Sequence, residues 1–191
     1  MSADPLGSVH VEVMCEGGDW SRLGAEPQDF ITDTLVAARA GLVADSGLTW
    51  PGPFEIVVIL MTDEAMREVN RDHRQQDKPT NVLSFPVWEL EDLELLAAGT
   101  TPPGQPPGVP VPLGDILMAE ATLTREAALQ GKSFADHARH LLVHGFLHLV
   151  GYDHMNDDEA EVMEALEVQI LRGFAISDPY QDREQIVDSH E

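Results

Sequence analysis

Cysteine is nearly missing: Cys15 is the single one in 191 residues. That excludes an internal disulfide and any cysteine-based zinc cluster, so a metal here must be held by His, Asp or Glu. Basic residues are also scarce, 11 Lys and Arg against 34 Asp and Glu. The resulting charge of −23 opposes an unspecific grip on nucleic acid or on an anionic membrane. Long apolar runs are lacking, and the longest, Ile56–Met61, is far too short to cross a bilayer. The N-terminus shows no basic region followed by an apolar stretch. No secretory signal is therefore expected, and the expected location is a reducing cytoplasm without membrane association. No internal repeat is visible. What remains is ordinary globular composition, 43% hydrophobic and 24% charged, in a length that fits one domain.

Local patterns divide the chain into elements. Val9, Val11 and Val13 alternate with His10, Glu12 and Met14, the period of a half-buried strand. Phe30, Ile31, Thr34, Leu35, Ala38 and Leu42 recur at helical spacing over 27–44, with Ser46-Gly47 closing that helix. The unbroken apolar run over 54–61 predicts a central strand. Thr62 is placed to cap a short helix ending near Arg71, and 82–87 reads as a third strand. Residues 99–112 hold six prolines and three glycines, which predicts a long irregular loop. A fourth strand is expected over 114–119 and a helix over 121–130. Another helix is capped by Ser133 and apolar nearly all round from Phe134 to Val150, hence buried. A last helix covers 157–172. Four strands and about five helices, without steady alternation, predict a single α+β domain over 1–191. Its mixed four-stranded sheet packs against the helices, and 181–191 is a tail.

The chemistry concentrates in His144-Gly-Phe-Leu-His148-Leu-Val-Gly151-Tyr-Asp-His154. His144 and His148 lie four apart on the predicted helix, so they share one face and can grip one metal ion. Gly151 lets the chain leave the helix and turn back, which brings His154 to the same point. Three imidazoles leave a fourth tetrahedral position open, the pattern of a catalytic rather than a structural zinc site. His137 and His140 continue the same stripe and read as packing or supporting residues. The spacing matches the zinc-peptidase pattern H-E-x-x-H-x-x-G-x-x-H, in which the Glu is the general base. Gly145 occupies that position and cannot take a proton. Peptidase chemistry in its usual form is therefore not expected, and Asp153 and His140 are the remaining candidates for a base.

Arg67, Arg71, Arg74 and Lys78 place four of the 11 cations within twelve residues. An arginine fork there could bind phosphate and stabilise charge developing on it, provided the following strand borders the zinc helix. The bland reading is a surface loop with scattered cations. Asp153, Asp157, Asp158, Glu159, Glu161, Glu164 and Glu167 crowd the C-terminal part and read as a solvated helix face.

His144–His154 resembles the signature of the YbeY family, bacterial single-strand endoribonucleases of ribosomal RNA maturation. Asn70-x-x-x-Arg74 followed by Asp77-Lys-Pro-Thr-Asn-Val-Leu-Ser-Phe-Pro86 is similar to the family's second block. Leu113-Gly-Asp-Ile116, Asp157–Glu161 and Asp178-Pro-Tyr180 resemble further ones. The resemblance implies a zincin-like fold, one Zn2+ per chain on His144, His148 and His154, and Arg74 as the arginine needed for RNA cleavage. It also implies single-stranded RNA, specifically ribosomal RNA precursor, as substrate, small ribosomal subunit proteins as partners, and roles in maturing the 16S 3′ end and in ribosome quality control. Residues 97–112 look longer and more proline-rich than the family pattern. Two rival readings are another zinc hydrolase, peptidase-like with its base recruited elsewhere, and a non-catalytic ribosome assembly factor that keeps zinc for structure.

Overall fold

The computed structural model describes residues 9–46, 53–100, 104–106 and 109–181. Gly47 and most of the expected tail, 182–191, lie outside the described residues, as do 101–103 and 107–108 of the proline-rich loop. The strands are β1 (Val9–Cys15), β2 (Phe54–Met61), β3 (Val82–Pro86) and β4 (Val111–Ala119). The helices are α1 (Pro27–Ser46), α2 (Asp63–Arg74), α3 (Leu90–Ala97), α4 (Glu120–Leu129), α5 (Phe134–Leu149) and α6 (Asp157–Arg172). The sheet order is β1-β2-β4-β3. β1, β2 and β4 run parallel, and β3 pairs antiparallel to β4. This is the α+β mixed four-stranded sheet expected, with β2 inside it as its unbroken apolar run requires.

Six α-helices pack around the sheet rather than about five. The additional one is α3, where Leu93 and Leu96 turn inward one helical turn apart. It has only two turns and no side-chain cap at Glu89, so it carries few of the start and stop signals by which helices are read. The proline-rich segment is likewise shorter than expected, because Val111 and Pro112 belong to β4. Pro112 is tolerated because it sits at the strand's beginning beside a bulge, where the register with β2 shifts between Glu55 and Ile56. α2 runs on to Arg74, one turn past the expected Arg71. No helix among the described residues is long and apolar enough to cross a membrane.

The main core joins Ile56, Val58 and Leu60 of β2 to Leu35 of α1, to Leu142 and Phe146 of α5, and to Leu166 of α6. A smaller cluster on the opposite face seats Met66 of α2 against Met61, Leu83 and Leu117. α5 is the central helix. Ser133 Oγ accepts its capping hydrogen bond from the Asp136 amide at 3.0 Å, as the sequence predicts. From its second half onward α5 escapes burial only along the strip that carries His140, His144 and His148.

Gly114 is where β4 meets β3 most closely. Its φ is +137°, and a β-carbon there would stand 2.1 Å from the Phe85 carbonyl oxygen. Gly114→Ala is expected to lower unfolding free energy by about 2–4 kcal/mol, since a backbone atom must move as well as a dihedral strain. Gly24→Ala, at φ +76° with open space around it, should cost only about 1 kcal/mol. Urea denaturation midpoints of the two variants measure the difference.

Candidate metal centre and its groove

The end of α5 builds the site. Gly151 takes φ +91° and its amide donates to the His148 carbonyl at 3.2 Å, while the Tyr152 amide donates to the Leu147 carbonyl at 3.0 Å. This pair of bonds is the Schellman arrangement, which requires a left-handed residue and so favours glycine. It reverses the chain over the helix end. The Tyr152 carbonyl thereby comes to lie 3.0 Å from His148 Nδ1, and His154 folds back onto the histidine pair. One ring nitrogen from each of His144, His148 and His154 falls within 4.8 Å of the others.

The protonation pattern shows what such a cluster can hold. His144 Nδ1 lies 2.8 Å from Glu167 Oε1, and His148 Nδ1 faces the Tyr152 carbonyl. Both partners are pure acceptors, so both Nδ1 atoms carry the ring proton and both Nε2 atoms present lone pairs. Those two Nε2 atoms face each other at 3.1 Å. Two lone pairs at that distance repel unless a cation sits between them. Two nitrogen ligands on a tetrahedral zinc ion would be about 3.3 Å apart, so the donor set fits a metal. His148 also resists protonation: burial, then the neighbouring His144 and His154, push its pKa down to about 4.

Glu167 supports the pair from α6. Its side chain is fully buried. It accepts from His144 Nδ1 and from His140 Nε2, each at 2.8 Å, and from the Tyr180 hydroxyl. Burial raises its pKa, but the hydrogen bonds and positive character of His140 and His144 outweigh that and bring it down to about 2. This corrects its placement on a solvated face. The signal was in the sequence: Glu167 falls four residues after Met163 and four before Leu171, both inward-facing on α6. His140 is a supporting residue bound to Glu167. His137 is 2% exposed and donates from Nε2 to Glu126 Oε2 at 2.9 Å, where Asn81 Nδ2 also donates.

Arg74 lines the groove as well. β3 lies against α5, and Arg74, Thr80, Ser84 and the three histidines line one cavity of about 600 Å3. Arg74 ends α2, where Gln75 adopts φ +57°. The loop after it is braced by buried Asn70, whose Nδ2 donates to the Lys78 carbonyl at 2.7 Å and whose own carbonyl accepts from the Gln76 amide. Two of the other cations are engaged. Arg67 forks onto both oxygens of Asp77 at 2.7 Å, and Arg71 pairs with Asp72 at 3.0 Å. Arg71 does not line the cavity. Arg74 and Lys78 have no ion-pair partner among the described residues. Asp153 lines the cavity and His140 does not.

Fold and site together define a class: an α+β protein in which a helix-borne histidine pair and a third histidine after a glycine turn converge on one metal position. The sequence profile of the family described as Endoribonuclease YbeY matches residues 29–175. An Endoribonuclease YbeY of Sinorhizobium fredii is 44% identical over 180 residues, covering 94% of this chain and 96% of its own. One of Agrobacterium fabrum is 42% identical over 186 residues, 95% of this chain and 100% of its own. The solution structure of TM1509 from Thermotoga maritima superposes with a TM-score of 0.53 at 20% identity, over 95% of this chain and 96% of that one, a likeness of fold. The chain belongs to the YbeY endoribonuclease family.

Two outcomes test the supporting network. Glu167→Gln replaces an acceptor by an amide that must turn its NH2 towards a donor, so metal affinity should fall about 10- to 100-fold. Chelator competition measures it, with circular dichroism to verify the fold. In metal-free protein, His148 binds its proton about 2.5 pH units more readily when unfolded, where its pKa is about 6.5. Its contribution to stability is therefore complete above about pH 6.5 and is lost as pH falls to about 4. The drop in melting temperature from pH 7 to pH 4.5 should be smaller in His148→Asn than in wild type.

Proposed function

We propose that this chain is a zinc-dependent endoribonuclease cutting single-stranded RNA, with ribosomal RNA precursor as substrate. The observation that carries this is the shared cavity, lined both by the three histidines and by Arg74, which has no ion-pair partner among the described residues. The curated relatives bear the name endoribonuclease, and family membership supports the finer reading: maturation of the 16S 3′ end, ribosome quality control, contact with small-subunit proteins and a cytoplasmic location.

His144, His148 and His154 would hold the ion. Three neutral imidazoles with an open position suit zinc, which there supplies Lewis acidity towards a phosphate oxygen and lowers the pKa of water. The chain's own residues do the rest. Arg74 places a bidentate donor where a phosphate entering the groove gains negative charge in the transition state. Its exposed position leaves it solvated until substrate excludes water, so its pull strengthens as the reaction site closes. Thr80 and Ser84 offer hydroxyls along the same wall. Asp153 is the carboxylate within the groove that can take a proton from the attacking oxygen. Its Oδ1 already accepts from the His154 amide at 2.8 Å, which fixes its orientation.

The reading as a binding-only assembly factor draws on the charge of −23, which is unfavourable for free RNA. A cleavage assay on ribosomal RNA precursor separates the two. Arg74→Ala should cleave about 100-fold more slowly or worse, with metal content and melting temperature near wild type, since an exposed arginine without partners adds little to folding. If Arg74 and Lys78, the two cations of this block without an ion pair among the described residues, are the ones that meet phosphate, log affinity against log salt should have a slope of about −1.4, and Lys78→Ala should reduce it by about 0.7. Wild-type cleavage by Arg74→Ala removes its catalytic role. No cleavage by metal-loaded wild type on any precursor supports the assembly factor.

A further inference from the structure

Beside the metal groove lies a second cavity of about 730 Å3 between α3, the turn after α5 and the start of α6. The two cavities share Pro86, His148, Gly151, Tyr152, Asp153 and Met155 as a common wall. The character of the second is different. Trp88, Leu90, Met155 and Val162 present apolar surface there. Leu90, Met155 and Val162 are 59%, 81% and 58% exposed, although each is a large hydrophobic side chain. Scattered single apolar residues need no explanation, but a cluster around one concavity marks a contact surface.

Charge selects the occupant. Glu89, Asp153, Asp158 and Glu159 stand on the rim, and none of the described residues lining the cavity is Lys or Arg. The first turn of α6 adds Asp157 to the same end. An RNA strand laid across this rim would bring phosphates against carboxylates, while Arg74, the arginine of the metal groove, does not line this cavity. We propose that this cavity docks a basic amphipathic segment of a partner protein, its apolar anchors seated between Leu90 and Val162 and its lysines or arginines on the acidic rim. Potentials of opposite sign speed the encounter and exclude acidic partners, while buried apolar anchors supply the affinity. The shared wall includes the turn that orients His148, so a seated partner lies against the metal centre and beside the entering substrate. The inference does not depend on the cleavage reading.

A short amphipathic peptide of leucine and lysine, with leucines at helical spacing, is the probe, and its leucine–glutamate counterpart is the control. Wild-type protein should bind the first in a salt-sensitive manner and not the second. Amide resonances shifted by the peptide should cluster in 86–93 and 150–162. Leu90→Asp with Val162→Asp should weaken binding at least about tenfold, because two apolar contacts are lost. Leu129→Asp, on α4 and 81% exposed, should bind as tightly as wild type or more so. The comparison is sharp because each substitution makes the protein more negative, and an attraction of charge alone would strengthen in every variant. Equal or tighter binding by the Leu90/Val162 variant overturns the proposal. So do resonance shifts spread over the acidic surface, a result that needs no variant. A uridine oligonucleotide that shifts 86–93 and 150–162 while displacing the peptide assigns the cavity to RNA and overturns it as well.

Discussion

Two imidazole nitrogens held 3.1 Å apart with lone pairs facing form an arrangement that costs energy in the absence of a cation, and much of the molecule serves to maintain it. Each ring is pinned from behind, His144 by a carboxylate and His148 by a backbone carbonyl, so neither can flip to relieve the repulsion. The carboxylate comes from α6 and the carbonyl from the turn that ends α5. The pair is thus clamped by two elements that also build the core. Glu167 is the costly member. A fully buried carboxylate is stabilised only by its hydrogen bonds, and three donors converge on it, from His140, His144 and Tyr180. The price of burying that charge is returned as fixed tautomers at the metal position.

Charge follows the same economy of placement. A chain with 34 acids and 11 bases should repel RNA everywhere, yet the relevant field is local. Half of the cationic block after β2 is paired internally: Arg67 holds Asp77 and Arg71 holds Asp72. These pairs are exposed and contribute little stability. Their effect is to leave Arg74, without an ion pair among the described residues, in the groove that the histidines also line, at the end of a helix whose following loop is braced by buried Asn70. The neighbouring cavity is lined by Glu89, Asp153, Asp158 and Glu159 and, among the described residues, by no Lys or Arg, so a polyanion meets a cation in the groove and carboxylates beside it.

Most of this was legible in the chain because it rests on local rules. Strand and helix periods placed β1, β2, β4, α1, α5 and α6, and the spacing of His144, His148 and His154 with Gly151 between them anticipated a common point. What escaped reading has a physical reason in each case. α3 is too short to announce itself, and its two inward leucines acquire meaning only when the sheet is present. Pro112 suggested a loop because prolines break sheets, and the bulge that admits it is a property of strand pairing. Glu167 sat in an acidic run, where composition spoke for solvent. Its helical phase spoke for the core, and phase was the better guide. The convergence of Arg74 with the histidines depended on β3 packing against α5, a contact between residues some sixty positions apart that no local pattern carries.

Gly145 ties these threads together. In the peptidase pattern its position holds the glutamate that takes a proton from water. Here Gly145 is buried, and a β-carbon on it would stand 3.1 Å from both Ser84 Oγ of β3 and Ile116 Cγ2 of β4. The missing side chain is therefore more than a lost base. It lets the α5 backbone settle onto the sheet close to Ser84, and Gly114 permits the matching approach of β4 to the Phe85 carbonyl. Two glycines on facing elements draw β3 in beside the histidines, and the loop that enters β3 follows with Arg74 at its start. A side chain at 145 would press on Ser84 Oγ and Ile116 Cγ2, which would have to give by a few tenths of an ångström. Where the peptidase pattern carries a carboxylate base, this chain thus has close packing of the metal-site helix on β3 and β4, the strands at which the arginine-bearing loop arrives.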